Sequence, residues 1–117
     1  MKYIIADPDI QNAIELKKIL DEYEILEFME SFVTFFAAVN YSLKHQPDIL
    51  FIFLGKAELN AIRLVDLVRE CNPFSKVIFI SGQKENAVEA FEYEVDGFIL
   101  VPFNKEKIGQ LLKQIIG

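Results

Sequence analysis

Short apolar bursts alternate with amphipathic stretches along the whole chain. Tyr3-Ile4-Ile5-Ala6 predicts a strand. Asp9 then offers a cap for a helix in which Ile10, Ala13, Leu16, Leu20 and Tyr23 recur at helical spacing. Ile25 to Glu30 mixes apolar residues with Glu27 and Glu30, which suits an edge strand protected by its acids. A second helix is predicted from about Val33 to His45, with Phe32, Phe36, Val39 and Leu43 on one face and Pro47 past its end. Asp48 to Leu54 is almost wholly apolar and predicts a buried strand, entered from Gln46-Pro47 and left through Gly55-Lys56. A third helix carries Ala61, Leu64, Val65, Val68 and Cys71, and stops before Asn72-Pro73. Lys76 to Ser81 predicts the next strand and Glu85 to Tyr93 a short helix. Asp96-Gly97 turns into the last strand, Phe98 to Val101. Asn104 can cap a final helix whose Ile108, Leu111, Leu112, Ile115 and Ile116 form a core-facing stripe. Gly109 inside that helix costs up to about 1 kcal/mol against Ala.

The result is five strands and five helices in strict alternation. That order calls for an α/β fold: a doubly wound parallel sheet with helices on both faces, because a parallel crossover needs a helix and turns right-handed. In such folds the working crevice lies at the carboxyl ends of the strands. Sites are therefore expected just after Ala6, Phe53, Ser81 and Val101.

Composition narrows the function. The 117 residues suit one domain, 1–117, large enough to fold without a metal or disulfide. The formal charge of -6 and the absence of any basic run longer than Lys17-Lys18 argue against direct nucleic-acid binding. The single cysteine, Cys71, excludes an internal disulfide and fits a reducing compartment. No stretch is long enough for a membrane span, and the first residues form a strand rather than a signal peptide. The expected location is the cytoplasm.

The ordered set of strand ends resembles the receiver domain of response regulators, the CheY-like branch of the flavodoxin-like folds. Lys2-Tyr3-Ile4-Ile5-Ala6-Asp7-Pro8-Asp9 is similar to the family's first strand and acidic cluster. Val77-Ile78-Phe79-Ile80-Ser81-Gly82 is similar to the strand ending in a hydroxyl residue followed by a small one. Ala87 to Glu92, with Asp96-Gly97-Phe98-Ile99-Leu100-Val101-Pro102-Phe103, resembles the last third of receivers attached to LytTR-type DNA-binding regulators. The resemblance implies strand order 2-1-3-4-5 and a cis peptide before Pro102. It also implies a site in which two acids and an acceptor aspartate hold magnesium, a hydroxyl binds the phosphoryl group, and a lysine pairs with it.

Matched residue by residue, Asp7 keeps the first acid, Pro8 takes the place of the second, and Asp9 stands where the family often has another. Phe53 occupies the acceptor position, Ser81 the hydroxyl position and Val101 the lysine position, just before Pro102. Three of the five chemical positions are therefore lost, and the losses agree with one another. A lysine left beside Phe53 would be a poorly paired cation, and Val101 removes it. Asp7 and Asp9 alone offer too few hard oxygens for octahedral magnesium. The pocket reads as degenerate, converted toward an apolar plug of Phe53, Val101 and Pro8, with no catalytic residue, no cofactor and no metal. The chain is then not an enzyme. It is a receiver that acts through protein–protein contact without phosphorylation. The alternative is a phosphoryl-accepting switch that uses Asp7, Asp9 or Ser81 with magnesium.

Other residues have plainer roles. Asp7 and Asp9 read as a turn acid and a helix cap, and Ser81 as a small hydroxyl satisfied by a backbone group. His45 sits where it can meet the last carbonyls of a helix. Cys71 falls on an apolar stripe and is expected to pack as a small hydrophobe. Phe35 lies off its helix's stripe, either packed by a neighbour or part of a contact patch. Gly55-Lys56 is too short for a phosphate loop. Phe98 stands where the family often has an aromatic that reports phosphorylation, or else an aromatic that simply packs. By the same resemblance a protein partner or effector domain, or a second copy, would meet the fourth helix, last strand and fifth helix. Glu85, Glu89, Phe98 and Lys105 are the expected exposed contacts.

Overall fold

The computed structural model describes residues 1–54 and 59–116, with side chains throughout except at positions 59–62, 64 and 89. The Gly55-Lys56 exit, the Ala61 and Leu64 members of the third helix's stripe, and the Glu89 contact lie outside the described residues and side chains. The elements run β1 (Lys2–Ala6), α1 (Ile10–Leu20), β2 (Glu27–Phe32), α2 (Phe35–His45), β3 (Ile49–Phe53), α3 (Leu59–Cys71), β4 (Lys76–Ser81), α4 (Asn86–Glu92), β5 (Gly97–Leu100) and α5 (Lys105–Ile116). All strand pairs are parallel, in the order β2-β1-β3-β4-β5, as expected.

Alternation along the strands divides the interior into two cores. Tyr3, Ile5, Ile49, Phe51, Ile78, Ile80 and Ile99 face α1 and α5, where they meet Leu16, Leu20, Ile108 and Leu112. Ile4, Ala6, Leu50, Ile52, Val77 and Phe79 face α2, α3 and α4, where they meet Ala38, Val65, Val68 and Ala90. Each large side chain taken fully out of water contributes roughly 1.5–3 kcal/mol. The central strands β1, β3 and β4 are buried on both faces, which is why they read as continuous apolar runs.

The caps hold where they were expected. Asp9 accepts from the amides of Gln11 and Asn12 at 3.0 and 3.3 Å, and Asn104 from the amide of Lys107 at 2.9 Å. A third cap was not foreseen: Thr34 accepts from the Ala37 amide at 3.2 Å, so α2 starts at Phe35 rather than Val33.

That start changes which phenylalanine is inside. Ala38 and Ser42 are the buried residues of α2, and Phe35 and Val39 pack beside them. Phe36 is 78% exposed, where the sequence placed it on the core face. Ile10 is also exposed, and so is Cys71, which is not packed as a small hydrophobe. Cys71 is the last residue of α3, three positions beyond the buried Val68.

Gly97 lies at a close approach of β5 to α5. A Cβ there would lie 2.4 Å from the Cδ1 of Leu111, so any larger residue would force that side chain to shift.

Candidate functional site

The carboxyl ends of β1, β3, β4 and β5 form one rim. Ala6 pairs in register with Ile52, so Asp7 continues the row beside Phe53. Phe53 pairs with Ile80, and Ile80 with Ile99. Beyond the ladders, the Leu54 amide donates to the Ile80 carbonyl at 2.7 Å, and the Val101 amide to the Ser81 carbonyl at 2.9 Å. The rim therefore gathers Asp7, Phe53, Ser81 and Val101, the positions sequence reasoning selected.

Their side chains divide between the two faces. Phe53 and Val101 are half-buried and pack against the α1/α5 core. Val101 lies beside the Ser81-Gly82 corner, its Cγ2 3.5 Å from the point a Gly82 Cβ would occupy. Pro8 is exposed and lines a separate hollow with Ala6, Asp7, Val33, Thr34 and Phe35. Phe53 and Val101 therefore lie on the α1/α5 side of the rim, apart from Pro8, and Phe53 is half-buried rather than fully enclosed. The Val101–Pro102 peptide is cis, as the resemblance implies.

Among the described residues, Asp7 is the one ionisable group sunk into this rim, with only 3% of its surface exposed. Its Oδ1 accepts from the backbone amide of Asp9 at 2.8 Å. Burial pushes its carboxyl up from 3.8 to about 6; the Asp9 amide pulls the other way, and the Asp9 charge adds to the rise. Asp9 itself is exposed and turns its Oδ1 to the first turn of α1. Among the described residues, no three carboxylate, histidine or cysteine side chains cluster as a metal site.

Ser81 is fully buried, and its hydroxyl is occupied. The Oγ accepts from the Gln83 amide at 3.0 Å and from the Asn86 Nδ2 at 2.7 Å. Sequence reasoning expected a backbone partner but missed Asn86, which is itself buried at the start of α4. The available signal was a polar residue five positions after Ser81, at the head of a helix with little else to bury.

The expected contact residues are placed as follows. Glu85 is exposed. Lys105 is exposed but paired, its Nζ 2.9 Å from the Oε1 of Glu22. Phe98 is half-buried and packs against the α2/α3/α4 core, so it is not the open contact the sequence suggested. The outward apolar surface on this side comes instead from Val88 and Phe91 of α4, 62% and 86% exposed.

No protein-family model matches the chain. Its relatives and structural neighbours are nonetheless consistent. It is 25% identical over 114 residues to the sensory transduction protein LytT of Bacillus anthracis, covering 97% of this chain and 46% of that protein. It is 25% identical over 115 residues to the transcriptional regulatory protein YpdB of Escherichia coli, covering 98% of this chain and 47% of that one. Among solved structures, the response regulatory domain of MrkE from Klebsiella pneumoniae superposes with a TM-score of 0.87 at 25% identity, over 99% of this chain and 95% of that one. The chain has the response-regulator receiver fold. RcsB from Salmonella enterica, bound to a promoter in the presence of a phosphomimetic, shares that fold at 18% identity with a TM-score of 0.84. The chain spans just under half the length of the curated relatives it matches.

Proposed function

We propose that this receiver is a signalling module, not an enzyme, and acts by protein–protein contact without an aspartyl phosphate. The observation that carries the reading is Phe53. It closes β3 at the rim, where the family resemblance places the acceptor, and its ring packs onto the α1/α5 core. A phenyl ring offers no oxygen for a phosphoryl bond. Val101 supports the same reading, because an apolar side chain stands where a lysine would pair with the phosphoryl group.

The donor set does not fit magnesium. An octahedral cation needs hard oxygens from several sides, and Phe53 supplies none. The Oδ1 atoms of Asp7 and Asp9 are already turned to backbone amides. The Asp7 carboxyl, pushed up to about 6, carries a burial penalty that a resident cation site would have to overcome. The receiver holds no cofactor in this reading.

The partner is a protein or an effector domain, met through α4, β5 and α5, and a symmetric dimer through the same elements is the commonest alternative arrangement. The acidic charge of -6 disfavours direct contact with nucleic acid. No described helix is long and apolar enough to cross a membrane, and the lone cysteine fits a cytoplasmic setting.

Incubation with acetyl phosphate and magnesium, followed by intact mass, tests the reading. The mass is expected to stay that of the unmodified chain. A stoichiometric phosphoryl adduct, on Asp7, Asp9 or Ser81, would overturn it.

A further inference from the structure

α4 is weakly anchored by apolar contacts. Among its described side chains, Ala90 is the only buried hydrophobe, while Val88 and Phe91 face outward. A seven-residue helix with one buried methyl group cannot hold its place by propensity or burial alone. Polar contacts hold both of its ends instead. At the start, the buried Asn86 donates from Nδ2 to the Ser81 Oγ at 2.7 Å. At the finish, Arg69 reaches across from α3 and donates to the carbonyls of Tyr93 and Glu94 at 2.9 and 2.7 Å. Glu94, at φ 52°, has the left-handed backbone that ends a helix.

The Asn86 contact has a specific consequence. The Ser81 Oγ already accepts from the Gln83 amide, and Asn86 takes its remaining acceptor site. A hydroxyl engaged in this way is fixed in the strand-end corner and ties that corner to the helix. We propose that Asn86 is a positioning residue that takes the Ser81 hydroxyl as its permanent partner and so holds α4, with the outward Val88 and Phe91, in one preset position. This rests on the reading of a receiver that signals without an aspartyl phosphate and names the contact that sets its output face.

The test is amide hydrogen exchange and 15N relaxation dispersion on the whole chain, for wild type, Asn86→Leu, Ser81→Ala, the double variant and Arg69→Ala. Leu keeps the shape of Asn and favours helix, so a purely structural role would leave α4 as ordered as before. The expected result is exchange about tenfold faster in α4 for Asn86→Leu, the effect of losing one buried hydrogen bond, with β1, β3 and β4 amides unchanged. Dispersion should appear at α4 only. The double variant should be no worse than the worse single one, because both remove the same bond. Arg69→Ala should free the other end of α4. Ser81→Ala removes the Asn86 bond from its other side and keeps the account testable should Asn86→Leu fold poorly.

Unchanged α4 exchange, equal loss across the sheet, or strictly additive effects of Asn86→Leu and Ser81→Ala would overturn the proposal. A phosphoryl adduct on the wild-type chain would instead end the phosphate-free reading and leave these exchange results standing, so the two failures are distinguishable.

Discussion

The backbone amide of Asp9 donates to the Oδ1 of Asp7 at 2.8 Å, and this does not compensate Asp7 for its burial. The carboxyl is pushed up to about 6, above the 3.8 it has when unfolded. The folded chain therefore holds the Asp7 proton more tightly than the unfolded chain does. The resulting stability is fully present below pH 4, falls as the pH rises from about 4 to 6, and is gone above that.

Asp7→Asn should remove this pH dependence while keeping an acceptor for the Asp9 amide. Denaturant melts of both proteins at pH 4, 5, 6 and 8 should show the variant gaining on wild type across that window. The gain should reach at most about 3 kcal/mol at pH 8. A gap that does not grow with pH would mean that Asp7 is hydrated and ionised in the fold.

Tyr3 carries an unmet polar group. It is fully buried, and among the described residues no protein atom bonds its hydroxyl. Burial, with the Asp21 charge adding to it, holds the phenol well above its ordinary range. The ring itself is well placed, edge-on to Phe28 and Phe51 with centroids 5.6 and 5.7 Å away. Tyr3→Phe should keep those contacts and match or exceed wild-type stability, by up to about 2 kcal/mol in urea melts. A loss of stability would show that the hydroxyl has a partner.

Gly97→Ala tests the β5–α5 approach. The added methyl would meet the Leu111 Cδ1 at 2.4 Å, so the Leu111 side chain has to shift within a packed core. The expected loss is about 1–3 kcal/mol by thermal or urea melting. A neutral result would mean that α5 can slide away from the sheet at no cost.

The sequence carried the fold because its two periods are clean. β3 and β4 are continuous apolar runs, and α5 repeats its stripe at Ile108, Leu111, Leu112 and Ile115. The phase of α2 was hidden because its buried centre consists of Ala38 and the polar Ser42, so the larger Phe36 drew the stripe to the wrong side. The rim was legible as a set of strand ends. What stayed out of reach was side-chain direction. Nothing in the order of residues shows that Ser81 turns to Asn86 while Phe53 and Val101 turn to the opposite core. Burial of Asn86 depends on one bond, and a single polar residue at a helix start looks like a cap.

Phe53→Asp is the obvious attempt to return a carboxylate to the rim. It should not confer phosphorylation, because Val101 still offers no cation and Pro8 no second acid. It should also cost stability, about 1–3 kcal/mol, since a carboxylate would replace a half-buried ring packed on the α1/α5 core. Intact mass after acetyl phosphate and a urea melt read both effects. A phosphorylated variant of wild-type stability would show that the surrounding rim is still competent.

The most direct measurement is the amide spectrum of the wild-type chain with and without magnesium and beryllofluoride, a mimic that binds only where an acceptor carboxylate and cation ligands stand together. The account predicts that the amides of Asp7, Phe53, Leu54, Ser81, Gly82 and Val101 do not shift. Saturable shifts at those strand ends would show that a working acidic site survives beside Phe53, and would contradict it.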